Sequence, residues 1–147
     1  MSHRKNNERW RVNGYWASRE RGVLITEYPV VSSKSDGTSR RRADAVIIDS
    51  PDHYVADKPI SLQGKKVTLI EVKATKLSPV LLGQAFVHSK IVLEDLKPKS
   101  LKTVVLCREA DTRLSKLAET LGIDVVAIAP EERGKLERLY HQSISGK

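Results

Sequence analysis

Three side chains suited to chemistry, Asp44, Glu71 and Lys73, each stand inside an apolar run. Residues Val67 to Lys76 read VTLIEVKATK, a stretch built like a buried strand that carries Glu71 and Lys73 among its apolar residues. Strand side chains alternate faces, so these two charges, two positions apart, are expected to point the same way. Acidic and basic side chains are almost never fully buried unless they are paired or used. Two carboxylates about 5 Å apart repel by about 3 kcal/mol at an effective dielectric of about 20, so bringing Asp44 and Glu71 together calls for a compensating cation. Mg²⁺, or Mn²⁺ in its place, answers that need, because such an ion takes oxygen ligands and keeps several waters. Asp44, Glu71, the carbonyl of Val72 and a substrate phosphate are then its expected ligands. The ion would make a water a better nucleophile and stabilise charge on a phosphoryl group. Lys73 would orient that water or neutralise charge on the phosphorus oxygens. The structural alternative is an ordinary ion pair between these carboxylates and Lys73 or Arg42.

The elements that must position these residues follow from pattern. Asn6 to Arg21 places Trp10, Val12, Tyr15 and Trp16 at spacings that predict one helix face, weakened by Gly14. The aromatic residues there are read as core rather than as platforms for bases. Val23 to Val31 reads as a strand in which Pro29 restricts pairing to an edge or ends a ladder, and Ser32 to Ser39 as a turn or loop. Ala43 to Asp49, ADAVIID, is a second strand, followed by a surface connection to Lys66 and by the strand VTLIEVKAT. Ser78 and Pro79 open a helix running to about Leu96 as N-cap and first residue. Lys102 to Arg108 is a strand, Ala110 to Leu121 a helix ended by Gly122, and Ile123 to Ile128 a strand. Pro130 opens a last helix to about Tyr140, after which the tail SISGK is expected to fray. Strands alternating with helices in this half imply parallel pairing and crossovers.

The order helix, three strands, helix, strand, helix, strand, helix, with Asp44 on the second strand and Glu71-Val72-Lys73 on the third, resembles the PD-(D/E)xK nuclease superfamily, which includes restriction endonucleases and archaeal Holliday-junction resolvases. In architecture the resemblance covers roughly residues 5 to 130; in motif it rests on Asp44, on Glu71-Val72-Lys73 and on Gln84 in LLGQAF. Ala43 stands where the proline that names the motif would be, and proline has no part in the chemistry. A Glu-x-Lys tripeptide alone is common, and its setting in an apolar strand between an acid-bearing strand and a glutamine-bearing helix supplies the specificity. The resemblance implies an α/β fold with a restriction-endonuclease-like mixed sheet flanked by helices. It also implies metal-dependent endonuclease activity on DNA, support of the site by Gln84, and a homodimer. An acid from the first helix often joins such sites; Glu8 or Glu20 could serve, and Glu8 is preferred because Glu20 lies near the helix end.

At 147 residues, 39% hydrophobic and 30% charged, the chain fits one globular domain. Its net charge of +8 favours polyanionic partners, although solubility alone is the plainer reading of such an excess. Arg40, Arg41 and Arg42, with Lys76, are the candidate contacts to nucleic-acid phosphates. His53 is read as a loop residue, and His88, one turn after Gln84, as able to face the same cleft. Cys107 is read as core packing, and no zinc, P-loop or GxSxG pattern is present. No apolar run reaches the ~20 residues of a membrane span and the start lacks a secretory signal, so a cytoplasmic protein with no membrane partner is expected. The alternatives are a non-catalytic nucleic-acid-binding protein on the same fold, or a nuclease directed at RNA.

Overall fold

The computed structural model describes residues 2–19, 21–31 and 41–145, so Glu20, Arg40 and the loop expected at Ser32 to Ser39 lie outside the described residues. Strands β1 (Gly22–Val31), β2 (Arg41–Ile48), β3 (His53–Val55), β4 (Lys66–Val72), β5 (Ser100–Cys107) and β6 (Ile123–Ala127) form one sheet in the order β3-β1-β2-β4-β5-β6. β1, β2 and β4 are antiparallel neighbours, whereas β4, β5 and β6 run parallel. Parallel neighbours need a crossover, and helices α2 (Pro79–Ile91) and α3 (Thr112–Thr120) supply the two that are required. Helices α1 (Ser2–Ala17) and α4 (Arg133–Ser145) cover the opposite face. The mixed α/β sheet flanked by helices that the element order implies is the one observed.

Burial on both faces explains why β4 and β5 read as nearly continuous apolar runs. Ile70, Val72, Val104 and Leu106 share a core with Trp10, Val12 and Trp16 of α1 and Leu136 of α4. On the other face Val105 and Cys107 pack with Leu81, Leu82 and Ala85 of α2 and Ala118 of α3. Trp16 is fully buried, donates its indole N–H to the carbonyl of Gly22 at 2.9 Å, and stacks on His53 with ring centroids 4.0 Å apart. The aromatic residues of α1 therefore serve the core. Gly14, read as a weakness, is a close approach: a Cβ there would come within 2.6 Å of the Leu136 Cβ, so α1 and α4 meet where glycine leaves room.

Several boundaries differ from the sequence reading, for identifiable reasons. The first helix begins and ends earlier than Asn6 to Arg21. The connection before Lys66 contains β3, which pairs parallel to β1 over Gly22 to Leu24, so β1 is not an edge strand there; Pro29, beyond that stretch, pairs with Arg42 of β2, and the register shifts between Pro29 and Val31. β4 stops at Val72 rather than Thr75. Ser78 caps α2 as expected, its hydroxyl accepting from the Leu81 N–H at 3.1 Å, but the helix passes into a π-helical turn, Val92–Leu96. Asp111 caps α3 through the Leu114 N–H at 2.8 Å, and Gly122 ends it at a φ of 74°. The last helix starts with a 3₁₀ turn, Pro130–Glu132, and continues to Ser145, so the expected fraying at Ser143 to Ser145 is replaced by helix. Leu139 and Tyr140 anchor it on the α1 core.

Candidate active site

The β2–β4 ladder pairs Ile48 with Val67 through Ala45 with Ile70, and one further step along that register sets Asp44 against Glu71. At that step a side chain replaces the backbone: Asp44 Oδ2 accepts the Val72 N–H at 2.8 Å. The neighbouring β1–β2 pairing is also interrupted there. Thr26 pairs with Ala45 and Tyr28 with Ala43, while Glu27 between them adopts a left-handed φ of 54°. Glutamate reaches that region at a cost on the order of 1 kcal/mol, a kind of strain that clusters at functional sites. Three acids thus come from three adjacent strands to one end of the sheet.

Glu71 is completely buried. Its Oε1 accepts from Gln84 Nε2 at 2.9 Å and its Oε2 lies 2.6 Å from His88 Nδ1. Gln84 and His88 are four residues apart, so one face of α2 delivers both. Burial first, and then the charge of Glu71, pushes the Asp44 carboxyl up to about 7; the Val72 N–H pulls the other way, and the charge of Glu8 adds a smaller upward push. Glu8, Arg9, Glu27, Asp44 and Val72 line a cavity of about 20 Å³, room for one water molecule. Arg9 reaches Glu27 at 3.9 Å.

Asp44, Glu71, the main chain of Val72, Gln84 and Glu8 are therefore brought together. Gln84 reaches the site by contacting Glu71 itself. Lys73 follows directly after the end of β4 and is half-buried, and its N–H bonds the Leu106 carbonyl at 3.0 Å. Among the described residues no ion pair joins Lys73 or Arg42 to either acid, so the ordinary ion-pair alternative is not what holds these carboxylates. Arg41 and Arg42 are exposed at the start of β2, and Lys76 is exposed in a bridge to Glu109. The sequence reading passed over Glu27 and gave His88 no chemical part. Glu27 had a legible signal, an acid inside VLITEYPVV like Glu71 inside its own strand. His88 had only its spacing from Gln84.

Among the described residues no three His, Cys, Asp or Glu side chains form a ready metal cluster. The donors available are two carboxylates and the Val72 carbonyl, a set suited to an ion that keeps several waters rather than to one held in an all-protein cage. The crowding of Asp44 on Glu71 is what a cation would relieve, and in that respect the residues fit one.

No family model matches the chain, and no curated protein matches it. Among solved structures, that of EndoMS in apo form aligns with a TM-score of 0.43 at 15% identity, over 71% of this chain and 38% of that one. The Cap4 SAVED/CARF-domain containing receptor of Acinetobacter baumannii aligns with a TM-score of 0.48 at 12% identity, over 90% of this chain and 34% of the receptor. The same receptor with the cyclic trinucleotide 2'3'3'-cAAA gives 0.47 at 11% identity. The chain thus spans little more than a third of the length of these proteins. No helix among the described residues is long and apolar enough to cross a membrane.

Proposed function

We propose that this protein is a metal-dependent endonuclease of the PD-(D/E)xK type that hydrolyses phosphodiester bonds in DNA. The observation that carries the reading is the convergence of Asp44 and Glu71 at one step of the β2–β4 register, with Asp44 tied to the Val72 N–H and Glu71 buried beneath α2. Asp44, Glu71 and the Val72 carbonyl would hold Mg²⁺ or Mn²⁺, with Glu8 close enough to Asp44 to add negative charge. A divalent ion bound there would acidify a water and take up charge on a phosphoryl oxygen. The chain's own residues do the rest. The Val72 N–H fixes the Asp44 carboxylate, and Gln84 and His88 fix that of Glu71. Lys73, half-buried and joined to no carboxylate among the described residues, keeps its ammonium for the phosphorus oxygens. Arg41 and Arg42, with Arg40 before them and Lys76, would meet backbone phosphates. A homodimer would bring two such sites to the two strands of a duplex.

The rival reading is a non-catalytic nucleic-acid-binding protein, and it is favoured by the engagement of both Glu71 oxygens by neighbours. Incubation with linear, nicked, branched and single-stranded DNA, and with RNA, under Mg²⁺, Mn²⁺ and chelator separates the two. Cleavage of DNA that needs the ion and is lost in Glu71→Gln supports the nuclease. Salt-sensitive binding with no cleavage under any condition supports the rival, and cleavage confined to RNA reassigns the substrate.

A further inference from the structure

We propose that His88 is a positioning residue: together with Gln84 it clamps the Glu71 carboxylate from α2, so that the lone pairs the clamp leaves unused serve a cation shared with Asp44. This rests on the proposed function and adds to it a residue for which the motif has no place.

The geometry is specific. The side chains of His88 and Glu71 are 5% and 0% exposed, and Nδ1 lies 2.6 Å from Oε2 while Gln84 Nε2 lies 2.9 Å from Oε1. Each carboxylate oxygen thus has one partner on α2. An ionised carboxylate accepts only and offers about four lone-pair sites, so two remain after both contacts are made. The same rule assigns the tautomer: facing an acceptor, Nδ1 carries the hydrogen and donates it. The clamp is preset by α2, which Ser78 caps and which Leu81, Leu82 and Ala85 seat in the core, so neither donor has to be recruited when an ion arrives. Groups that orient a metal-binding carboxylate typically change metal affinity by roughly 10–100-fold when removed.

The test uses Mn²⁺ as the probe and follows its binding calorimetrically to the full chain, with thermal unfolding recorded for each variant. His88→Leu removes the donor. His88→Asn restores one, because the asparagine Nδ2 stands as many bonds from the backbone as Nδ1. Gln84→Leu, at a half-buried position, removes the other half of the clamp with less risk to folding. The expected result is a loss of Mn²⁺ affinity on the order of 10–100-fold in His88→Leu and Gln84→Leu, with most of it regained in His88→Asn. Should His88→Leu fail to fold, the pair His88→Asn and Gln84→Leu carries the test. Folded leucine variants that bind Mn²⁺ as the wild type does overturn the clamp and leave the metal site standing. A His88→Asn protein that is folded but as weak as His88→Leu shows that ring packing, not donation, matters, and also overturns it. A wild-type chain that binds no Mn²⁺ removes the metal reading, and the clamp falls with it.

Discussion

Two aspartates sit near opposite ends of β2, and they are held in opposite ways. Asp49, just past the C-terminal end, meets Arg21 in a two-pronged contact, Nε to Oδ1 at 3.2 Å and a terminal nitrogen to Oδ2 at 3.1 Å, in a setting open to solvent. Asp44, near the start, has no cation against it among the described residues; it faces a buried glutamate, with Glu8 and Glu27 close by. The first arrangement is what a strand end does with a spare carboxylate, and exposed pairs of this kind contribute about 0–1 kcal/mol. The second costs stability that an asparagine at the same position would not. A site that keeps such a cost is accounted for by what the acids do together, and perturbed carboxylates of this kind gather at functional sites.

The sharpest way to break this contrast is to neutralise an acid at each end. Glu71→Gln and Asp44→Asn are expected to lower metal-dependent cleavage of DNA at least about 100-fold, while Asp49→Asn leaves it unchanged, as measured by the rate of duplex nicking under Mg²⁺. Lys73→Ala should reduce cleavage by roughly 10–100-fold with Mn²⁺ affinity nearly intact, because among the described residues its ammonium makes no ion pair with either acid and an ammonium is no metal ligand; equal losses of affinity and rate would overturn that division.

A pH series sharpens the contrast further. The folded-state pKa of Asp44 is raised, by burial and then by Glu71, to about 7. The native state therefore binds the proton more tightly than the unfolded chain does. The associated stability is full below about pH 4, the unfolded carboxyl range, and is lost as the pH rises through about 7. Without metal, Asp44→Asn should accordingly unfold several degrees above the wild type at pH 8, on the order of 2 kcal/mol, with the gap closing near pH 4 and shrinking when Mg²⁺ is added at pH 8. The smallest effect belongs to the other end. Arg21→Ala should cost under about 1 kcal/mol by denaturant unfolding, and less at high salt.

Much of this site was legible before any coordinates. An acid in ADAVIID and a second in LIEVKAT are anomalies that residue type exposes at once, and their settings on successive long strands point to a shared site. What could not be read was where the ladder stops. Alternation alone carries the strand on through Thr75, whereas β4 ends at Val72, with the Lys73 N–H still bonded to the Leu106 carbonyl. Strand length is set by partners, and Val72 and Leu106 are the last of the β4–β5 pairs. Glu27 was passed over because an acid in a strand rich in β-branched residues looks solvated until the register shows a left-handed residue at the same step as Asp44. His88 was discounted because a lone histidine on a helix has no chemistry of its own, and its significance comes from the carboxylate it touches.

By itself the sequence determined the element types and their order apart from β3, the buried character of β4, the cap at Ser78 and the stop at Gly122, and the identity of the two central acids, because propensity, capping and periodicity act over a few neighbouring residues. Tertiary structure alone decided the register that sets Asp44 against Glu71, the end of β4 at Val72, and the approach of α2 that brings Gln84 and His88 onto one carboxylate. Each of those is a contact between segments far apart in the chain, settled by how the whole sheet and its helices pack.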